Sequence, residues 1–87
     1  MTPAERKLLK ARAHNLEPVV LVGNKGLTDE VVKEVDRALT AHELIKVRAP
    51  SLDRDGRDQA LKTLCEKTGA AAVQQIGKVL VLYRKNP

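Results

Sequence analysis

The sequence predicts a single α/β domain, residues 1–87, of element order αβαβαββ: three helices and a four-stranded mixed sheet. Three observations carry that prediction. Helix-period segments with capping residues alternate with short apolar runs. The last two runs, Ala71–Ile76 and Val79–Tyr83, are separated only by Gly77 and Lys78, the spacing of a two-residue hairpin with glycine first. Finally, 87 residues with 43% hydrophobic and 31% charged content suit one modest core. A chain of that size buries roughly two-thirds of its unfolded surface.

The elements follow in order. Thr2 can cap a first helix, Pro3 suits its first position, and Glu5 completes a capping box. That helix runs to about position 13 or 14. Ala4, Leu8 and Ala11 share one of its faces, while Arg6, Lys7, Lys10 and His14 cluster on another. The continuous apolar run 19–22 reads as a strand buried on both faces. Thr28 can cap a second helix, with Asp29 and Glu30 in its first turn and Leu27 and Val32 placed as a hydrophobic staple. Val31, Val32, Val35, Ala38, Leu39 and His42 fall on one arc of it, which makes His42 a partly buried residue. Residues 44–49 alternate as a strand that Pro50 ends, 51–56 read as a polar loop, and 57–67 as a third helix stopped by Gly69. Helical crossovers join the first three strands, so parallel pairing is expected among them, with the last strand antiparallel.

Several function classes fall away. Nucleophilic catalysis needs a nucleophile, a base and an orienting group together. Cys65 lies in the apolar phase of its helix and reads as a small hydrophobe, and neither His14 nor His42 has a partner at a telling spacing. One cysteine and two isolated histidines make no metal-ligand cluster, and no cofactor motif is present. Asp29 with Glu30, and Asp53 with Asp55, sit where capping and solvation explain them. The lone cysteine fits a reducing compartment. No apolar run approaches the roughly 20 residues of a membrane span. With no signal-peptide pattern either, a cytoplasmic protein without a membrane role, and a monomer, is expected.

Charge points elsewhere. The net charge is +5, and its distribution is uneven. Residues 1–26 carry +3, residues 27–43 carry −3, and residues 70–87 carry +3. Within the first positive stretch lies Gly23-Asn24-Lys25-Gly26, a G-x-x-G turn between a strand and a helix. Two readings stand beside each other: the turn needs room, or a polyanion backbone comes close to it. In the second, the glycines avoid Cβ clashes with a sugar-phosphate chain, the Thr28 helix start offers free N–H groups, and Lys25 adds a cation. KH domains use a GXXG loop in this manner. Lys33 and Arg37 lie at i, i+4 on the exposed arc of the following helix, and Lys46 shares one strand face with Arg48. Tyr83 is the only aromatic residue, so there is no set of rings for stacking bases, and an RNA-binding role would read backbone and shape. Tyr83 itself reads as a core-edge residue.

Four fragments carry a resemblance over nearly the whole chain: LKARAH, PVVLVGNKGLTDEV, ALTAHELIKVR and TGAAAVQQIGKVLVLYR. Together they resemble the CRM domain family (chloroplast RNA splicing and ribosome maturation), and within it the stand-alone bacterial YhbY-like proteins. The resemblance implies an RNA-binding domain without catalytic activity, and a fold similar to the C-terminal domain of translation initiation factor three. It implies ribosomal RNA in precursors of the large ribosomal subunit as the partner, and a role in ribosome assembly. The resemblance implies Gly23, Asn24, Lys25 and Gly26 as the RNA-facing loop, and the helix start and charge pattern add Thr28, Lys33 and Arg37, with Arg6, Lys7, Lys10, Lys46 and Arg84, to the expected set. Asn24 leaves one basic residue in the loop, and the chain stops three residues after Arg84, short of the basic tail of some relatives. Both imply modest affinity outside the assembling ribosome. The alternatives are a protein-docking module recruited by a ribosomal partner and, less favoured, a small hydrolase using a histidine.

Overall fold

Thr2, Thr28 and Asp53 set the three helix starts. In the computed structural model, which describes residues 1–87, each side chain accepts a hydrogen bond from a first-turn amide. The donors are Glu5 at 3.1 Å, Val31 at 3.2 Å and Gly56 at 2.7 Å. The elements are α1 (Pro3–Ala13), β1 (Pro18–Leu21), α2 (Asp29–His42), β2 (Leu44–Arg48), α3 (Arg54–Thr68), β3 (Ala71–Ile76) and β4 (Val79–Tyr83). The αβαβαββ order expected from the sequence is therefore the observed one. α3 begins three residues earlier than its periodicity predicts, because Asp53 caps it and Gly56 is absorbed into its first turn. Gly69 closes α3 in the left-handed region at φ +75, as its position suggests.

The sheet order is β1-β2-β4-β3. β1 and β2 pair in parallel, and β4 pairs antiparallel with both β2 and β3. β3 thus points the same way as β1 and β2 but does not pair with either. The β3–β4 hairpin enters as a unit, its apolar strand VLVLY takes the centre, and β1 and β3 become the edges. That placement corrects the reading of β1 as buried on both faces. Val20 and Val22 are buried, whereas Val19 and Leu21 are 46% and 58% exposed.

Alternation divides the sheet between two layers. Ile45, Val47, Leu80 and Leu82 face α2 and α3, where they join Val35, Leu39, Ala60, Leu61 and Leu64. The intervening residues Leu44 and Val81 face α1, with Val73, Leu9 and Ala13. α1 is therefore on one side of the sheet and α2 and α3 are on the other. α1 does not pack through Ala4, Leu8 and Ala11; Leu8 is exposed, and the helix docks on the i, i+4 pair Leu9 and Ala13. A short helix crossing a sheet at one patch needs only so narrow a stripe. His42 ends α2 and is exposed, contrary to its place on the apolar arc, because it borders an open depression beside Val19, Leu44 and Ile45 and not the packed core. Leu27 and Val32 both pack on the main core, as a staple would. Tyr83 is half-buried against the α1 cluster.

Beyond β4 the chain returns to the end of α2. The Arg84 amide donates to the Glu43 carbonyl at 2.9 Å, and the Asn86 amide donates to Glu43 Oε2 at 2.9 Å. Asn86 Nδ2 donates to the Thr40 carbonyl at 2.7 Å. These contacts flank Glu43, whose φ of +62 is the one positive value outside glycine.

Candidate nucleic-acid interface

The Gly23-Asn24-Lys25-Gly26 stretch closes as a β-turn. The Gly26 amide donates to the Gly23 carbonyl at 3.0 Å. Two outside contacts fix it. The Val22 amide donates to the Arg48 carbonyl at 2.8 Å, and Ser51 Oγ donates to the Gly23 carbonyl at 3.1 Å. Ser51 is a supporting residue that sequence patterning gives no reason to select, since its partner lies 28 positions away. Asn24 and Lys25 stand exposed at the tip, and Thr28 caps α2 directly beyond.

The two glycines differ. Gly26 sits at φ +72, where L side chains are strained, so the turn itself requires it. Gly23 lies outside the left-handed range, and a Cβ built there meets no atom within 4 Å. The fold does not require glycine at position 23. A missing Cβ at this spot matters only to something arriving from outside the chain.

The cations are unusually free. Of sixteen lysines and arginines, Arg84 alone has a carboxylate within 4.0 Å, which leaves fifteen unpaired. Lys33 and Arg37 extend from the turn along exposed α2, at about 1.5 Å per residue of helix. Acidic side chains surround them. α2 carries two basic and four acidic residues, and Asp29 and Glu30 line the same depression as the turn. Arg6, Lys7 and Lys10 are exposed on α1, across the sheet from α2. α1 carries four basic residues against one acidic. Lys46 faces the α1 side too, with Nζ 3.4 Å from the His14 carbonyl.

The expected site residues therefore form two groups, not one. Gly23, Asn24, Lys25, Gly26, Thr28, Lys33 and Arg37 belong to the turn and α2. Arg6, Lys7, Lys10 and Lys46 belong to the opposite layer. Arg84 belongs to neither group. Its guanidinium donates to Asp36 Oδ1 at 2.6 Å, the Asp36 carbonyl at 3.1 Å, Thr40 Oγ1 at 2.9 Å and the Thr68 carbonyl at 2.8 Å. Four of its donors are thus occupied in tying β4 to α2 and α3.

Cys65 packs half-buried against the main core. Burial, and then the nearby Glu66 carboxylate, push its thiol above the ordinary range, which favours the unreactive protonated form. No three His, Cys, Asp or Glu side chains gather as metal ligands. No helix is long and apolar enough to cross a membrane.

Known proteins resemble this chain in sequence and in fold. A family model described as the CRS1 / YhbY (CRM) domain matches residues 1–84. A probable RNA-binding protein of Pseudomonas aeruginosa is 44% identical over 87 residues, covering 100% of this chain and 84% of that protein. An RNA-binding protein of Haemophilus influenzae is 43% identical over 84 residues, covering 97% of this chain and 85% of that one. The solution structure of a Staphylococcus aureus protein superposes with a TM-score of 0.89 at 32% identity, over 100% of this chain and 91% of the other. With the family model spanning residues 1–84 and such relatives matched over most of their length, the chain belongs to the CRS1 / YhbY (CRM) domain family.

Proposed function

We propose that this protein binds RNA through the Gly23-Asn24-Lys25-Gly26 turn, that the RNA is ribosomal, and that it acts in assembly of the large ribosomal subunit. It works as a cytoplasmic monomer and carries out no catalytic step. The observation that carries the reading is Gly23, a glycine that neither backbone conformation nor packing requires. A phosphate approaching its open face would meet the free amides at the start of α2 and the unpaired Lys25. The names of the Pseudomonas and Haemophilus relatives support RNA as the ligand class.

The two glycines give a test that separates folding from binding. Gly23→Ala is expected to leave stability within about 0.5 kcal/mol of the parent, because the position is exposed and unstrained. Its affinity for large-subunit ribosomal RNA should fall about threefold to tenfold, the equivalent of one lost hydrogen bond of about 1 kcal/mol. Gly26→Ala should instead cost about 1 kcal/mol or more of stability, because of its positive φ. Thermal melts and RNA titrations on the same samples distinguish the two.

A triple variant tests the charges. Replacing Lys25, Lys33 and Arg37 by alanine is expected to reduce the slope of log affinity against log salt by about 2, at about 0.7 per single-strand phosphate neutralised. A folded triple variant with parental affinity and slope would rule out this face. Salt-insensitive association with subunit precursors would point to the protein-docking alternative.

A further inference from the structure

The α1 face of the sheet is only half covered. Leu9 and Ala13 pack over Leu44, Val73 and Val81, and the sheet continues uncovered beyond them towards the end that carries the Gly23 turn. Register fixes what lies there. Leu21 pairs with Arg48, Arg48 with Val79, and Val79 with Ile76, so four side chains on four strands form one row across the sheet. At about 4.8 Å between strands that row is about 14 Å wide. Leu21 and Ile76 are 58% and 55% exposed, well above the burial of the core beside them. The next row holds Lys46, and Lys10 and His14 of α1 form the wall of a shallow groove of about 250 Å³.

The chemistry of this floor is one-sided. No acidic residue lines the groove, and Lys10, Lys46 and Arg48 have no carboxylate partner. The depression at the Gly23 turn, by contrast, contains Asp29 and Glu30. A row of three aliphatic side chains, with Arg48 set between Leu21 and Val79 and Lys46 and Lys10 beside it, suits a ligand that offers flat apolar faces along a line of negative charge. Single-stranded RNA has that form. An RNA duplex hides its base faces and offers only phosphates, hydroxyls and groove edges.

We propose that this open half-sheet binds a single-stranded RNA segment, with phosphates at Lys10, Lys46 and Arg48 and base faces laid on Leu21, Val79 and Ile76. The inference rests on the RNA-binding reading above and extends it to the opposite layer of the fold. Leu21 is followed by Val22 and Gly23, so the floor runs directly into the turn and one strand of RNA can engage both. Aliphatic side chains replace the aromatic rings that other sheet platforms use, so contacts to bases tolerate any sequence.

The test uses two paired variants of the full chain, each read by fluorescence anisotropy with a short single-stranded uridine oligonucleotide and with an RNA duplex. Lys46→Ala/Arg48→Ala is expected to weaken single-strand binding about tenfold and to lower the salt slope by about 1.4, twice the single-phosphate value. Leu21→Ser/Ile76→Ser is expected to weaken it about fivefold with the slope unchanged, since no charge is removed. Duplex binding should be weaker in the parent and indifferent to the apolar pair. If the apolar variant melts early, the charged pair, which removes no core side chain, still decides. Parental affinity in both floor variants, with binding weakened in Gly23→Ala, overturns this inference and keeps the RNA reading. Duplex binding tighter than single-strand binding overturns it as well. A parent chain that binds neither probe overturns both readings.

Discussion

Leu80→Ala is expected to bring the protein close to unfolding at ambient temperature. Leu80 is fully buried on the central strand β4, inside the cluster shared by the sheet, α2 and α3. Truncating such a leucine removes transfer free energy and leaves a cavity that neighbouring elements can only partly fill, at about 3–4 kcal/mol. A domain of this length has roughly 4–13 kcal/mol in total, at 0.05–0.15 per residue. The Tm should fall by about 15–25 °C, and the urea midpoint should drop with an unchanged slope. Leu8→Ala is the matched control. Leu8 is 61% exposed on α1, and the same truncation there should stay within about 0.5 kcal/mol. A small effect at Leu80 would contradict the central position of β4.

Arg84→Ala is expected to cost about 2–3 kcal/mol, more than any other change to a basic residue in this chain. The guanidinium is the one cation here paired with a carboxylate, and it makes more hydrogen bonds than any other basic side chain. It joins the end of β4 to Asp36 and Thr40 on α2 and to the carbonyl of Thr68 on α3. Removing it leaves the Thr68 carbonyl without that donor and the Asp36 carboxylate without its ion pair. Arg84→Lys should recover little, because a single ammonium cannot span the four acceptors that the planar fork reaches. RNA titration of Arg84→Ala under conditions where it remains folded should return the parental salt slope, as no phosphate contact is removed. A lower slope in folded protein would restore Arg84 to the RNA-facing set.

Most of the elements are legible in the sequence because local rules fix them. Thr28 caps α2, Gly69 ends α3, and Gly77 at φ +54 makes the two-residue hairpin. What is not legible depends on partners distant in the chain. The run 19–22 looks the same whether one or both of its faces are covered, and only the insertion of β4 beside β2 makes β1 an edge. α1 has two candidate stripes, and the sheet selects Leu9 with Ala13 over Ala4, Leu8 and Ala11. At the site, the turn and its glycines can be recognised from spacing alone. The separation of Lys33 and Arg37 from Lys10 and Lys46 cannot, because it requires knowing which side of the sheet each helix covers. The same holds for the row from Leu21 to Ile76, which exists only through the register of four strands.

The strap formed by residues 84–86 has a consequence for the polarity of α2. Every helix leaves unmatched acceptors at one end and unmatched donors at the other. At the acceptor end of α2 the chain itself supplies donors: the Glu43 amide reaches the Leu39 carbonyl, Asn86 Nδ2 that of Thr40, and the Arg84 amide that of Glu43. At the donor end Thr28 satisfies Val31, while no loop or cap hydrogen bond uses the amides of Asp29 or Glu30. The returning chain thus serves one end of the helix, and the end it leaves unserved opens beside Gly23. An acceptor supplied from outside has only this end of α2 to complete.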